Sequence, residues 1–268
     1  MITSMANTQI KEIRKLHDRK YRRESGLFYG EGLRIVTEAI KQKVELSQLL
    51  VAPELLTSEF GLKLVEEQRA KGVPVLELSE FVFKSIAQKE GPQGIAGVFV
   101  QQKLKLDKIT RGDNDLWVAL DSVADPGNLG TILRTSDGVG GCGVILMDHS
   151  TDPYDPTTIR ASMGAVFTQK IIETTFDEFA AWKKRLNFPL VGTSGAAQHD
   201  YHLTRYPPNL ILLMGSEREG LNDQAIQLCD RLVSIPMVGQ SDSLNLAVAA
   251  GVVLYEIFNQ KREKQVNK

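Results

Sequence analysis

Apolar residues follow a helical rhythm at the start of the chain and a strand-and-helix alternation after it. Ile10, Ile13 and Leu16 recur at helical spacing among Lys11, Arg14, Lys15, Arg19, Lys20, Arg22 and Arg23. This predicts a helix over 10–23 with one narrow apolar side and a broad basic one. Further helices are expected at 32–41, 62–70 and 80–88, with strands at 48–52, 73–78 and 95–101. Such alternation describes a small α/β domain over 1–102. From 103 to 115 the pattern fails into the polar, turn-prone runs Lys-Leu-Lys-Leu-Asp-Lys and Arg-Gly-Asp-Asn-Asp, which read as a linker. The alternation then resumes over 116–268, with strands expected at 116–122, 144–147, 170–174, 190–193, 210–214 and 232–235. Continuous runs such as Leu210-Ile-Leu-Leu-Met214 suit strands covered on both faces, as in a parallel sheet. A final helix over 244–264 is apolar first and charged last.

Composition narrows the class. An apolar share of 42% is enough for packed cores in a chain of 268 residues, and two domains are the first expectation. The net charge of -1 means that any contact with nucleic acid must use a local basic patch. Cys142 and Cys229 stand alone, without Cys-x-x-Cys or Cys/His neighbours, so a reducing compartment is expected and a zinc site is not. The first ten residues lack the apolar core and cleavage site of a leader, and 244–258 is interrupted by Gly251 and Glu256. The expected location is the cytoplasm.

Three loops follow strands of the second half, where ligands of open α/β sheets sit. The first is Asp125-Pro-Gly-Asn128-Leu-Gly130-Thr-Ile-Leu-Arg134, a turn with Asn128 as the expected helix cap and Arg134 further along the helix. In the second, Gly215-Ser-Glu217-Arg-Glu-Gly220, glycines flank a polar insert and permit close backbone approach to a ligand. Glu217 is placed there to accept from substrate hydroxyls or to hold Arg134. The third, Ile235-Pro-Met237-Val-Gly239-Gln-Ser-Asp-Ser243-Leu244-Asn245, leads from a strand into a helix that Ser243 and Asn245 can cap. Taken singly, each loop reads as an ordinary cap or turn. Their combination, in this order and spacing, is specific.

On these residues the chain resembles the SpoU/TrmH-type methyltransferases of the SPOUT class. Asn128-x-Gly130-x-x-x-Arg134, Gly215-x-Glu217-x-x-Gly220-Leu221 and Ile235-Pro-Met…Ser243-Leu-Asn245 carry the likeness. Phe28-Tyr-Gly-Glu31-Gly32 and Gly94-Ile-Ala-Gly-Val98 resemble the substrate-binding domain that precedes it in many members. One departure is Leu246-Ala247, where members often have Val-Ser. The resemblance implies an α/β fold: a parallel-sheet domain with a deep trefoil knot, preceded by a smaller RNA-binding α/β domain. It implies S-adenosylmethionine as cofactor, held by the main chain around Thr193, Gly215, Ile235, Met237 and Leu244, and a homodimer. The activity implied is methylation of a ribose 2′-hydroxyl of RNA, with ribosomal RNA favoured by the first domain. Arg134, Asn128, Glu217, Ser243 and Asn245 are the catalytic set. Lys11, Arg14, Lys15, Arg19, Arg22 and Arg23 are the expected RNA contacts.

Other readings are a tRNA substrate, an antibiotic-resistance role, a silent RNA-binding assembly factor and a nicotinamide oxidoreductase. Intact Arg134, Glu217 and Asn245 argue against silence, and the missing G-x-G-x-x-G argues against a dinucleotide fold. His199-Asp-Tyr-His202 is read as surface rather than metal site, and Asp152-Pro153 and Asp155-Pro156 as turn and helix-start punctuation.

Overall fold

A computed structural model describes residues 1–88 and 90–266. The chain forms two compact units: Met1–Gln102 with Tyr154–Phe167, and Lys103–Pro153 with the chain from Thr168 onward. The division differs from the expected boundaries at two places. Segment 103–115 is not a linker, because it forms a 3-10 turn, Leu106–Lys108, and buries Leu106 in the second unit's core with Trp117 and Ile172. Tyr154–Phe167, expected in the second domain, packs with the first.

The first unit has a sheet of β1 (Leu27–Glu31), β2 (Leu46–Val51), β3 (Val75–Glu77) and β4 (Ile95–Val100), ordered β1-β4-β2-β3. β4 runs antiparallel to β1 and β2, and β3 runs parallel to β2. β1 escapes a pattern search because it is short and carries Gly30 in its middle. The basic segment is two helices, Thr8–Lys15 and Arg19–Ser25, rather than one. Asp18 makes the break: its carboxylate accepts from Lys20 N at 2.7 Å and caps the second helix. Ile10, Ile13 and Leu16 are buried beside Tyr29, Leu50 and Phe83, so the apolar side of the segment is core. At ~1.5–3 kcal/mol for each fully buried side chain, that packing and not helix propensity holds such short helices. Phe28 stacks on Phe99 at 5.4 Å and on Tyr154 at 4.7 Å, which ties the inserted segment to the sheet.

The second unit is built on a seven-stranded sheet. Its strands are β5 (Leu116–Asp121), β6 (Gly143–Met147), β7 (Lys170–Thr174), β8 (Leu190–Thr193), β9 (His199–Asp200), β10 (Leu210–Met214) and β11 (Arg231–Ser234). They run in the order β7-β6-β5-β10-β8-β11-β9, and every pairing is parallel. β5, β6 and β10 are buried at every position, as their long apolar runs require, with Asp121 the buried charged residue that ends β5. The two-residue β9 has no periodicity to betray it. Helix Pro126–Gly138 follows β5, and Leu246–Val266 closes the described chain. Among the described residues, no helix is long and apolar enough to cross a membrane.

Candidate active site

Strand order explains why three loops distant in sequence meet. β5, β10, β8 and β11 are consecutive neighbours, and being parallel they present their carboxyl ends together. The loops after these strands are those that carry Asn128, Glu217, Ser194 and Ser243.

Asp125, not Asn128, caps the helix Pro126–Gly138. Its carboxylate accepts from Asn128 N at 2.7 Å, with Pro126 at the first helical position. Asn128 is thereby released for another task. Its side chain is 9% exposed; its Nδ2 donates to Glu217 Oε1 at 3.0 Å, and its Oδ1 accepts from Asn245 Nδ2 at 3.0 Å. Glu217 also accepts from the backbone N–H groups of Ala124 and Asp125, each at 3.1 Å. Asn245 Oδ1 accepts from Ala247 N at 2.9 Å and so caps the final helix. Glu217, Asn128 and Asn245 thus join all three loops in one hydrogen-bonded chain. Burial pushes the Glu217 carboxyl up, but the bonds from Asn128, Ala124 and Asp125 outweigh it and hold the group below the ordinary carboxylate range.

The second loop closes on itself. Ser216 and Gly220 exchange backbone hydrogen bonds at 3.1 Å in both directions. Gly220 has φ 68, and a Cβ on Gly215 would collide with the Gly220 carbonyl and the Leu221 nitrogen. The two glycines are therefore required by the loop's own backbone, rather than only by an approaching ligand.

Beside this loop lies a cleft of about 510 Å³, within the range of small-molecule sites. Thr193, Gly215, Ile235, Met237 and Leu244 all line it, as do Glu217 and Ser243. Ser194, Gly195 and Asp242 line it too, and sequence reasoning missed them. Ser194-Gly195 directly follows β8, so the rule used for the other loops would have found this fourth one. Arg134, Asn128 and Asn245 do not line the cleft. Arg134 is exposed and makes no hydrogen bond or ion pair among the described residues, so Glu217 does not hold it. It stands six residues after Asn128, about 9 Å along the axis and on a different helix face.

The expected RNA-contact set needs one correction. Arg22 is 1% exposed and donates through Nη1 to the carbonyls of Leu16 at 2.8 Å and His17 at 2.9 Å. Its Nη2 lies 3.6 Å from Asp155. Arg22 holds the first unit together and offers no charge to a ligand. Lys11, Lys15, Arg19 and Arg23 are exposed; Arg14 is half-buried and donates to Ser85 at 3.1 Å. No group of three or more His, Cys, Asp or Glu placed to hold a metal occurs among the described residues; His202 instead lies 3.1 Å from Glu256. Asp155 caps helix Pro156–Ser162, with Pro156 at its start.

A doubly covered parallel sheet with a clamped loop cluster over a mixed polar and apolar cleft defines a nucleotide- or cofactor-binding α/β enzyme domain. The family is shown by comparison: residues 115–255 match the SpoU rRNA Methylase family, and the chain belongs to it. Residues 7–97 match the MRM3-like substrate binding domain. The chain is 28% identical to 23S rRNA (guanosine(2553)-2'-O)-methyltransferase RlmP of Bacillus subtilis, over 96% of its own length and 98% of that protein's. It is 30% identical to 23S rRNA (uridine(2479)-2'-O)-methyltransferase of Streptomyces viridochromogenes, over 92% and 87% of the two chains. Among solved structures it is similar to an AdoMet-bound rRNA methyltransferase from Sinorhizobium meliloti, with a TM-score of 0.88 and 36% identity, covering 96% of this chain and 97% of that one.

Proposed function

We infer that this protein transfers the methyl group of S-adenosylmethionine to a ribose 2′-hydroxyl of RNA, with ribosomal RNA as the substrate. The observation that carries the reading is the Glu217–Asn128–Asn245 chain, which fixes three family loops beside one cleft. The cleft suits the cofactor's chemistry. Apolar Ile235 and Leu244 line the cleft and would bracket the adenine, while main chain at Thr193, Gly215 and Met237 would offer polar groups to its edge. When bound, S-adenosylmethionine supplies a methyl carbon made electrophilic by its sulfonium. The protein's task is then to place the ribose oxygen in line with that carbon; such positioning is worth ~7–11 kcal/mol in the best intramolecular models.

Arg134 is assigned the RNA phosphate. A guanidinium keeps its proton near neutrality, so it acts as grip and as support for the developing alkoxide rather than as base. Its lack of a protein partner among the described residues suits that role. Ser243 faces the cleft and would orient the ribose. Asn128, Glu217 and Asn245 set the loops and act through them. Lys11, Arg14, Lys15, Arg19 and Arg23 are assigned to the RNA backbone. We assign the domain the family's deep trefoil knot and a homodimeric state. Exposed Val248 and Tyr255 on the final helix support the dimer. The setting is the cytoplasm.

The test is a map of 2′-O-methyl sites on cellular RNA with and without the gene. One ribosomal site should vanish on deletion and return with the wild type but not with Arg134→Ala; an unchanged map overturns the reading.

A further inference from the structure

The first unit contains a cavity of about 330 Å³ that the catalytic reading does not use. Tyr29, Ile35, Ile159 and Met163 line it with apolar surface, and the exposed Arg34 and Arg160 bring two guanidinium groups to it. One wall is helix Pro156–Ser162, part of the segment inserted from the later sequence.

Several features mark this cavity as built rather than left over. Met163 has φ 54, a left-handed conformation unusual for a side chain of its kind. Its backbone N–H closes the helix on Arg160 O, and its side chain lines the cavity. Strain of this sort costs ~1–3 kcal/mol and tends to collect at ligand clamps. Gln93 Oε1 accepts from Leu33 N at 3.1 Å, while its amide nitrogen has no partner among the described residues. Glu31 also lines the cavity and accepts from Gln88 N at 2.8 Å. Arg160 donates to Gln88 O at 3.1 Å, which holds its guanidinium at the cavity.

An apolar cavity with an amide and a carboxylate at its side and two guanidiniums suits a nucleotide. We propose that this cavity holds a single unpaired nucleotide of the RNA substrate. The base lies against Ile35, Ile159 and Met163, its polar edge meets Gln93 and Glu31, and its phosphate meets Arg34 and Arg160. Single-stranded RNA is recognised by splayed bases, which makes such a cavity a way to read the substrate's fold outside the methylated nucleotide. The proposal rests on the RNA-methylating reading above.

The experiment measures binding of an unmodified 23S rRNA transcript to the full-length protein across a salt series. Variants are Arg34→Ala with Arg160→Ala, and separately Met163→Gly, which removes a wall while relieving the left-handed backbone. The double variant should bind about 10-fold more weakly, with a salt slope smaller by about 0.7, the value for one single-strand phosphate. Met163→Gly should keep or raise Tm and still weaken RNA binding. S-adenosylmethionine affinity should not change in either. Wild-type RNA affinity and salt slope in both variants overturn the pocket while leaving the methyltransferase reading intact. A wild-type protein that binds the transcript but never methylates it overturns the other reading instead.

Discussion

Asn245 Nδ2 donates to Asn128 Oδ1 at 3.0 Å, joining the helix after β5 to the start of the final helix across 117 positions of sequence. Neither residue lines the cleft, so each is assigned a positioning role. Replacing Asn245 strands the buried amide oxygen of Asn128, a cost of ~1–3 kcal/mol, whereas Asn245 itself is exposed and loses less when Asn128 is replaced. Asn128→Ala and Asn245→Ala should each lower Tm and slow methyl transfer. The double variant should be less harmful than the sum, with a coupling of ~0.5–1.5 kcal/mol by urea unfolding. Full additivity contradicts the contact.

Glu217 contributes stability that depends on pH. Its carboxyl is held below the ordinary value of 4.5 in the folded protein by three hydrogen bonds. The contribution is complete above the unfolded pKa and is lost as pH falls through the depressed folded one. Glu217→Gln should therefore be less stable than wild type at pH 7, with the two converging in acid below pH 4.5. Denaturant curves at several pH values read this directly, and a gap that widens in acid has the wrong sign.

Gly215→Ala places a methyl against the Gly220 carbonyl. Overpacking of this kind costs ~1–3 kcal/mol and must open the loop that lines the cleft. Calorimetry should show weakened or lost S-adenosylmethionine binding. Wild-type affinity would mean that the loop is not held as described.

Arg22 and Arg23 are neighbours with opposite duties. Arg22→Ala unpartners the buried Leu16 carbonyl and the half-buried His17 carbonyl, and should lower stability by ~2–3 kcal/mol. Arg23→Ala removes an exposed charge, and should leave stability within ~0.5 kcal/mol of wild type while reducing the salt dependence of RNA binding. Thermal melts beside filter binding separate the two.

These contrasts show what sequence periodicity can carry. The apolar runs 116–120 and 210–214 are legible because strands covered on both faces are continuously apolar along most of their length. The three loops are legible because glycines and Asp-Pro turns punctuate them. The Tyr154–Phe167 insertion is not, since nothing local to Tyr154 says that it will stack on Phe28. Arg22 is equally opaque, because a charge run looks the same whether its members face water or two backbone carbonyls. Asn128 reads as a cap from its place before a helix, but Asp125 lies three residues earlier with Pro126 after it, and takes the cap instead.

Arg134 is assigned to the chemistry and not to the fold or the cofactor. Single-turnover methyl transfer to an rRNA transcript, with calorimetric S-adenosylmethionine binding and Tm on the same Arg134→Ala sample, tests this assignment most directly. Turnover should fall at least ~100-fold, since an oriented charge at a developing alkoxide is worth ~2.7–4 kcal/mol. Cofactor affinity and Tm should stay near wild type. Unchanged turnover, or activity lost only with cofactor binding, would contradict it.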